Sequence, residues 1–115
     1  MEITIYHNPH CSKSRETLAL LRARGVEPHI VDYLQTPPSP AQLRSLLTAL
    51  GISARALVRD KEAAWRESGL ETVDDEGRII DALHATPELI ERPIVVRGPR
   101  AVLGRPPSNI EQLFE

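Results

Sequence analysis

The chain has 115 residues, 41% hydrophobic and 26% charged, with a formal charge of −2 and basic and acidic residues interspersed. That length suits one domain with a real core and is too short for two, and the mixed charge argues against nucleic acid or an anionic membrane as the main partner. Only four aromatics occur, Tyr6, Tyr33, Trp65 and Phe114, so the core must be built from Leu, Ile, Val and Ala, with no platform for stacking bases.

Glu2-Ile3-Thr4-Ile5-Tyr6 alternates polar and apolar residues with β-branched side chains, the pattern of a strand, and stops at His7-Asn8-Pro9. From Ser12 to Arg24 apolar positions recur at helical spacing and Gly25 supplies a stop, so Cys11 falls where the helix begins. His29–Tyr33 reads as a second strand, reached through a crossover helix, which gives a βαβ unit with parallel strands and an α/β fold class.

A Pro-rich connector follows from Gln35. Ser39, Pro40 and Gln42 then supply an N-cap, a first-turn proline and a capping-box glutamine for a helix to about Leu50. Helical pieces are expected around Arg55–Arg59 and Lys61–Ser68, with an amphipathic helix over Asp75–Ala85 that ends before Pro87. Ile94-Val95-Val96, a turn at Gly98-Pro99, and Ala101-Val102-Leu103 describe a terminal β-hairpin, with a short helix from Pro107.

No apolar run reaches the length of a membrane span, and the N-terminus lacks the basic-then-apolar pattern of a signal segment, so a soluble cytoplasmic protein is expected. Cys11 is the single cysteine, which excludes an internal disulfide. At a helix start it meets unpaired N–H groups and the positive end of the helix dipole, and His7, His10, Lys13 and Arg15 lie within four residues, so a cation beside the sulfur is expected. A strand, a tight turn, a cysteine and a helix together put sulfur at the carboxyl end of a parallel strand, where α/β sheets bind ligands. In the plain alternative it is a buried small hydrophobe.

Spacing narrows the chemistry. Ser14 stands where a dithiol oxidoreductase carries its resolving cysteine, so a disulfide on Cys11 must be resolved by an outside thiol. A phosphatase loop would need arginine six positions after the cysteine, and Thr17 is there instead. An oxyanion at Cys11 must then be held by arginines arriving from elsewhere, helped by the amides of the helix start. His7, His10 and Cys11 offer three metal ligands on one loop with no fourth, and no metal is expected.

The run His7-Asn8-Pro9-His10-Cys11-Ser12-Lys13-Ser14-Arg15 strongly resembles the active-site loop of glutaredoxin-coupled arsenate reductases. Gly51–Arg59, Glu91–Val96 and Gly104-Arg105-Pro106 resemble that family's other segments, in the same order, and the likeness covers nearly the whole chain. It implies a single thioredoxin-like domain over 1–115. Its mixed sheet would come from the N-terminal βαβ unit and the C-terminal β-hairpin with its short helix, and a helical block would be inserted at about 39–88.

The resemblance also implies roles. Cys11 is the nucleophile, His7 favours its thiolate, and Arg59, Arg92 and Arg105 hold arsenate; independently of the resemblance, Ser14 stands one turn from Cys11, where its hydroxyl can serve the sulfur, the hydrogen bonds of the helix start, or both. Pro93 corresponds to the family's cis-proline. Glutathione is the implied co-substrate, glutaredoxin the implied partner, and no bound cofactor is needed. Arg22, Arg24, Arg44, Arg66, Arg78 and Arg100 match no motif and are assigned to solvent or helix-surface pairs, as is Arg55. Two rival readings keep the same fold: a monothiol glutaredoxin-like enzyme acting on glutathione mixed disulfides, and a non-enzymatic regulator binding RNA polymerase.

Overall fold

The structure, a computed structural model, describes residues 2–115. Its backbone separates into two compact units, one made of the residues up to Thr36 together with Arg92–Glu115, the other of Pro37–Glu91.

The first unit holds a four-stranded sheet. Strand β1 (Ile3–His7) leads through helix α1 (Ser12–Ala23) to strand β2 (His29–Asp32), which pairs parallel to β1 with Thr4 opposite His29. The hairpin strands pair antiparallel to each other, and the first of them pairs antiparallel to β1, placing Thr4 opposite Val96, so the sheet is mixed. The edge-to-edge order is β2, β1, the strand Ile94–Arg97, then the strand Arg100–Leu103. The segment after the hairpin, Pro107–Phe114, winds as a 3-10 helix.

Alternation along β1 decides what lies under α1. Ile3 and Ile5 are buried on one face, and the period of two carries His7 onto that same face, where it is also buried. Helix α1 answers with buried Ser14, Thr17 and Leu21 at spacings of three and four. Leu21 joins Ile3, Ile5, Val95, Ile110 and Leu113 in the apolar core. Full burial of such a side chain contributes about 2 kcal/mol. The cysteine end of the same stripe is polar, with Ser14 and Thr17 wholly enclosed.

Arginines close the C-terminal end of this unit. Arg24 lies over the Phe114 ring at 4.0 Å and pairs with Glu111 at 3.1 Å. Arg97 reaches the same ring at 5.1 Å and donates to the Leu113 carbonyl at 2.7 Å. Arg100 donates to the Gln112 carbonyl. Arg24 and Arg100 therefore do more than meet solvent: their guanidinium groups satisfy or cover the final turn.

The second unit is helical. Helix α2 (Pro40–Leu50) begins with the expected capping box, Ser39 Oγ accepting from the Gln42 N–H at 3.1 Å and Gln42 Oε1 from the Ser39 N–H at 2.8 Å. It ends at Gly51 with φ +71°, the left-handed position that favours glycine. Helix α3 (Ala63–Ser68) buries Trp65, and helix α4 (Glu76–Ala85), N-capped by Asp75, turns Ile79, Ile80 and Leu83 inward. The helical piece expected around Arg55–Arg59 is a short 3-10 turn, Arg55–Leu57, after which the chain extends and Val58 bridges Ile90.

Arg55 is not the surface arginine its position suggests. Its guanidinium donates to the carbonyls of Leu70, Glu71 and Val73, pairs with Asp74 at 3.6 Å, and lies 5.7 Å from the Trp65 ring. It ties down a segment whose carbonyls have left any helix. Among the described residues no helix is long and apolar enough to cross a membrane.

Candidate active site

Cys11 is the N-cap of α1, with extended backbone, half-buried. A turn closed by its own N–H on the Asn8 carbonyl at 3.0 Å carries the chain from β1 into the helix, and its carbonyl accepts the first helical bond from Arg15. Burial by itself pushes the thiol up. The N–H of Ser14, the hydrogen bond and charge of Arg92, and the N–H of Lys13 outweigh that, and the Cys11 pKa falls below the ordinary thiol value.

The cation that lowers it is therefore Arg92, from the far end of the chain. The local cations are otherwise placed: Arg15 donates to the Pro9 carbonyl at 2.9 Å, Lys13 pairs with Glu16 at 3.5 Å on the surface, and His10 is exposed. Among the described residues no three His, Cys, Asp or Glu side chains are grouped to hold a metal ion.

Ser14 meets the sulfur through its backbone, not its hydroxyl. Its Oγ lies 2.6 Å from His7 Nδ1 and accepts from the Asn8 N–H at 3.0 Å. His7 is buried, which lowers its pKa; the Asp32 carboxylate works against that, and Arg22 and Arg15 work with it. The imidazole is consequently neutral near pH 7 and acts on the cysteine loop through Ser14.

Arg92 and Arg105 come together in the first unit. Each precedes a cis proline, Pro93 and Pro106, and Arg105 Nη1 reaches the Arg92 carbonyl at 3.5 Å. Asn109 Nδ2 donates to the carbonyls of Leu103 and Arg105 at 3.0 and 3.2 Å, holding the segment that carries Arg105. Arg59 belongs to the helical unit. There its N–H donates to the Leu89 carbonyl at 2.7 Å, and its guanidinium pairs with Glu62 at 3.5 Å and Glu91 at 3.7 Å.

Thr17 and Gly104 were not singled out by their residue types, yet they join the cysteine helix to the arginine segments: Thr17 Oγ1 lies 3.3 Å from the Gly104 carbonyl. The signal available in the sequence was the stripe Ser14, Thr17, Leu21, which marks Thr17 as inward-facing. This half-buried thiol of lowered pKa, with a hydrogen-bonding guanidinium and amide donors beside it, suits nucleophilic attack on an anion.

A model of the ArsC family matches residues 6–113. The chain is 49% identical over 114 residues to the uncharacterized protein YfgD of Escherichia coli (strain K12), covering 97% of this chain and 96% of that one. It is 44% identical over 115 residues to an arsenate reductase of Neisseria meningitidis (serogroup A), covering 98% of both. An arsenate reductase structure from Vibrio cholerae superposes with a TM-score of 0.94 at 44% identity over 97% of each chain. The fold is thus the α/β, thioredoxin-like one of arsenate reductase structures, and the chain belongs to the ArsC family.

Proposed function

We propose that the protein is an arsenate reductase, an oxidoreductase whose nucleophile is the Cys11 thiolate and whose reductant is glutathione. The observation that carries this reading is the place of Cys11, half-buried at the N-cap of α1 with the Ser14 and Lys13 amides and the Arg92 guanidinium beside its sulfur, groups that favour the thiolate. Relatives named arsenate reductase at 43–47% identity support it.

In this reading arsenate is held by Arg92, Arg105 and the amides that follow Cys11, because guanidinium forks and N–H groups match a tetrahedral oxyanion and offset its charge. Arg59 enters by family resemblance. The thiolate attacks arsenic(V), an S–As bond forms, and one oxygen leaves as water after protonation. Glutathione thiolate then attacks the Cys11 sulfur. The S–As bond breaks with its electron pair staying on arsenic, which becomes arsenite, and the two sulfurs become a mixed disulfide. A glutaredoxin thiol takes up the glutathione and frees Cys11, as required where no second cysteine exists in the chain. His7 and Ser14 hold the loop that presents the sulfur, and use of the glutathione pool fits a cytoplasmic protein.

The test is arsenate reduction by purified protein with glutathione and glutaredoxin beside the Cys11→Ser variant. Turnover that disappears in the variant is the expected result. No turnover by a protein whose Cys11 still alkylates rapidly near neutral pH would overturn it in favour of a monothiol enzyme acting on glutathione mixed disulfides.

A further inference from the structure

The polar stripe of α1 continues from Ser14 to Thr17, which is fully buried. Its hydroxyl donates to the Lys13 carbonyl at 2.7 Å and lies 3.3 Å from the Gly104 carbonyl, so one proton serves the helix and, more weakly, the segment after the hairpin. Gly104 is not among the glycines of positive φ, so backbone freedom does not explain it. Space does. A Cβ there would lie 2.6 Å from Thr17 Oγ1, 2.9 Å from Thr17 Cγ2 and 2.7 Å from Pro93 Cγ.

The point where a side chain at Gly104 would start is crowded by both the cysteine helix and the proline after Arg92, and the Gly104 N–H donates to the Pro93 carbonyl at 2.9 Å. Neither neighbour has a flexible end to swing aside: Thr17 is β-branched inside a helix and Pro93 is a ring. Any bulk added at Gly104 must therefore be absorbed by the backbone. The residues next in sequence to this stack are the two arginines, Arg92 before Pro93 and Arg105 after Gly104.

We propose that Thr17 and Gly104 are positioning residues, whose close approach against Pro93 sets the separation between the cysteine helix and the two arginine segments, and with it the grip on a tetrahedral oxyanion. This deepens the arsenate reading above and rests on it. Guanidinium forks are directional, and a displacement of about 1 Å can cost roughly a hundredfold in a positioned reaction.

The experiment measures, on the full chain, the pH profile of Cys11 alkylation by iodoacetamide, protection of Cys11 by arsenate and by phosphate, and arsenate turnover, with circular dichroism and melting to show folding. In Gly104→Ala the alkylation profile moves to higher pH as Arg92 is displaced, and half-protection needs about tenfold more oxyanion or beyond. The pair Thr17→Ala with Gly104→Ala clears both Thr17 atoms and leaves only the Pro93 Cγ contact, so both readouts return part of the way toward wild type. A folded Gly104→Ala protein with wild-type profile and protection overturns the proposal, as does a folded double variant no closer to wild type. Should Gly104→Ala not fold, Thr17→Ala alone decides: loosened packing weakens protection if the proposal holds, and unchanged protection overturns it. The alkylation profile needs neither arsenate binding nor turnover, so a wild-type protein that reduces no arsenate but whose profile responds in this way loses the substrate reading and keeps the positioning one.

Discussion

His7 Nδ1 and Ser14 Oγ lie 2.6 Å apart, both shut off from solvent, one at the end of β1 and the other in the first turn of α1. Because the serine oxygen already accepts from the Asn8 N–H at 3.0 Å, a hydroxyl donating to an unprotonated Nδ1 satisfies all three groups. Protonating the ring reverses that bond and leaves the hydroxyl hydrogen to find another acceptor. The pair thus joins β1, the cysteine loop and α1 with every polar group satisfied while the imidazole is neutral and its Nδ1 carries no proton.

Ser14→Ala leaves His7 Nδ1 and the Asn8 N–H without this partner in a buried place, which costs about 1–3 kcal/mol of stability. The Ser14 amide remains. Urea unfolding should show the loss, while the alkylation profile of Cys11 stays close to wild type; a large shift in that profile would mean the hydroxyl, not the amide, sets the sulfur's pKa.

Stability should fall in acid through His7. Its pKa is lowered in the folded chain, foremost by burial, so between that value and the ordinary histidine pKa of about 6.5 the unfolded chain binds more protons than the folded one. Unfolding free energy therefore rises with pH across this window, and the contribution is lost as pH falls from about 6.5 through the folded value. Urea midpoints of wild type and His7→Asn compared from neutral pH downward check this: the difference between their slopes in that window is expected, and parallel curves would refute it.

Arg92→Ala should raise the Cys11 pKa, since a hydrogen bond and a charge favouring the thiolate both go. Arg92→Lys should raise it less, because the charge stays while the fork is lost. The alkylation rate as a function of pH orders the three proteins, and an Arg92→Ala profile superposing on wild type would show that amides alone hold the thiolate.

Arg55→Ala removes donors to the carbonyls of Leu70, Glu71 and Val73, with a cost of about 1–3 kcal/mol. Thermal melting should register it. Arsenate KM and Cys11 alkylation should not change beyond what the lower stability imposes, so a selective loss of substrate affinity would assign Arg55 to the site.

Local signals were legible along the chain wherever a structure depends on residues a few positions apart. The Ser39 cap with Pro40 and Gln42, the stop at Gly51, the alternation of Ile3 and Ile5, and the placement of Cys11 at a helix start are all of that kind. Arg55 is of the other kind: a single turn of helix says nothing about three carbonyls fifteen to eighteen residues further on.

The sequence by itself determined the α/β class, the helix that begins at the lone cysteine, and a family pattern running from residue 6 to 113. Only the tertiary structure decided which cation reaches the sulfur, which group receives the Ser14 hydroxyl, and why position 104 carries glycine. Those are contacts across the fold, such as Thr17 with Gly104, 87 residues apart. Pairing of β1 with the hairpin and packing of α1 on the sheet bring such residues together, and neither is a property of any short stretch of chain.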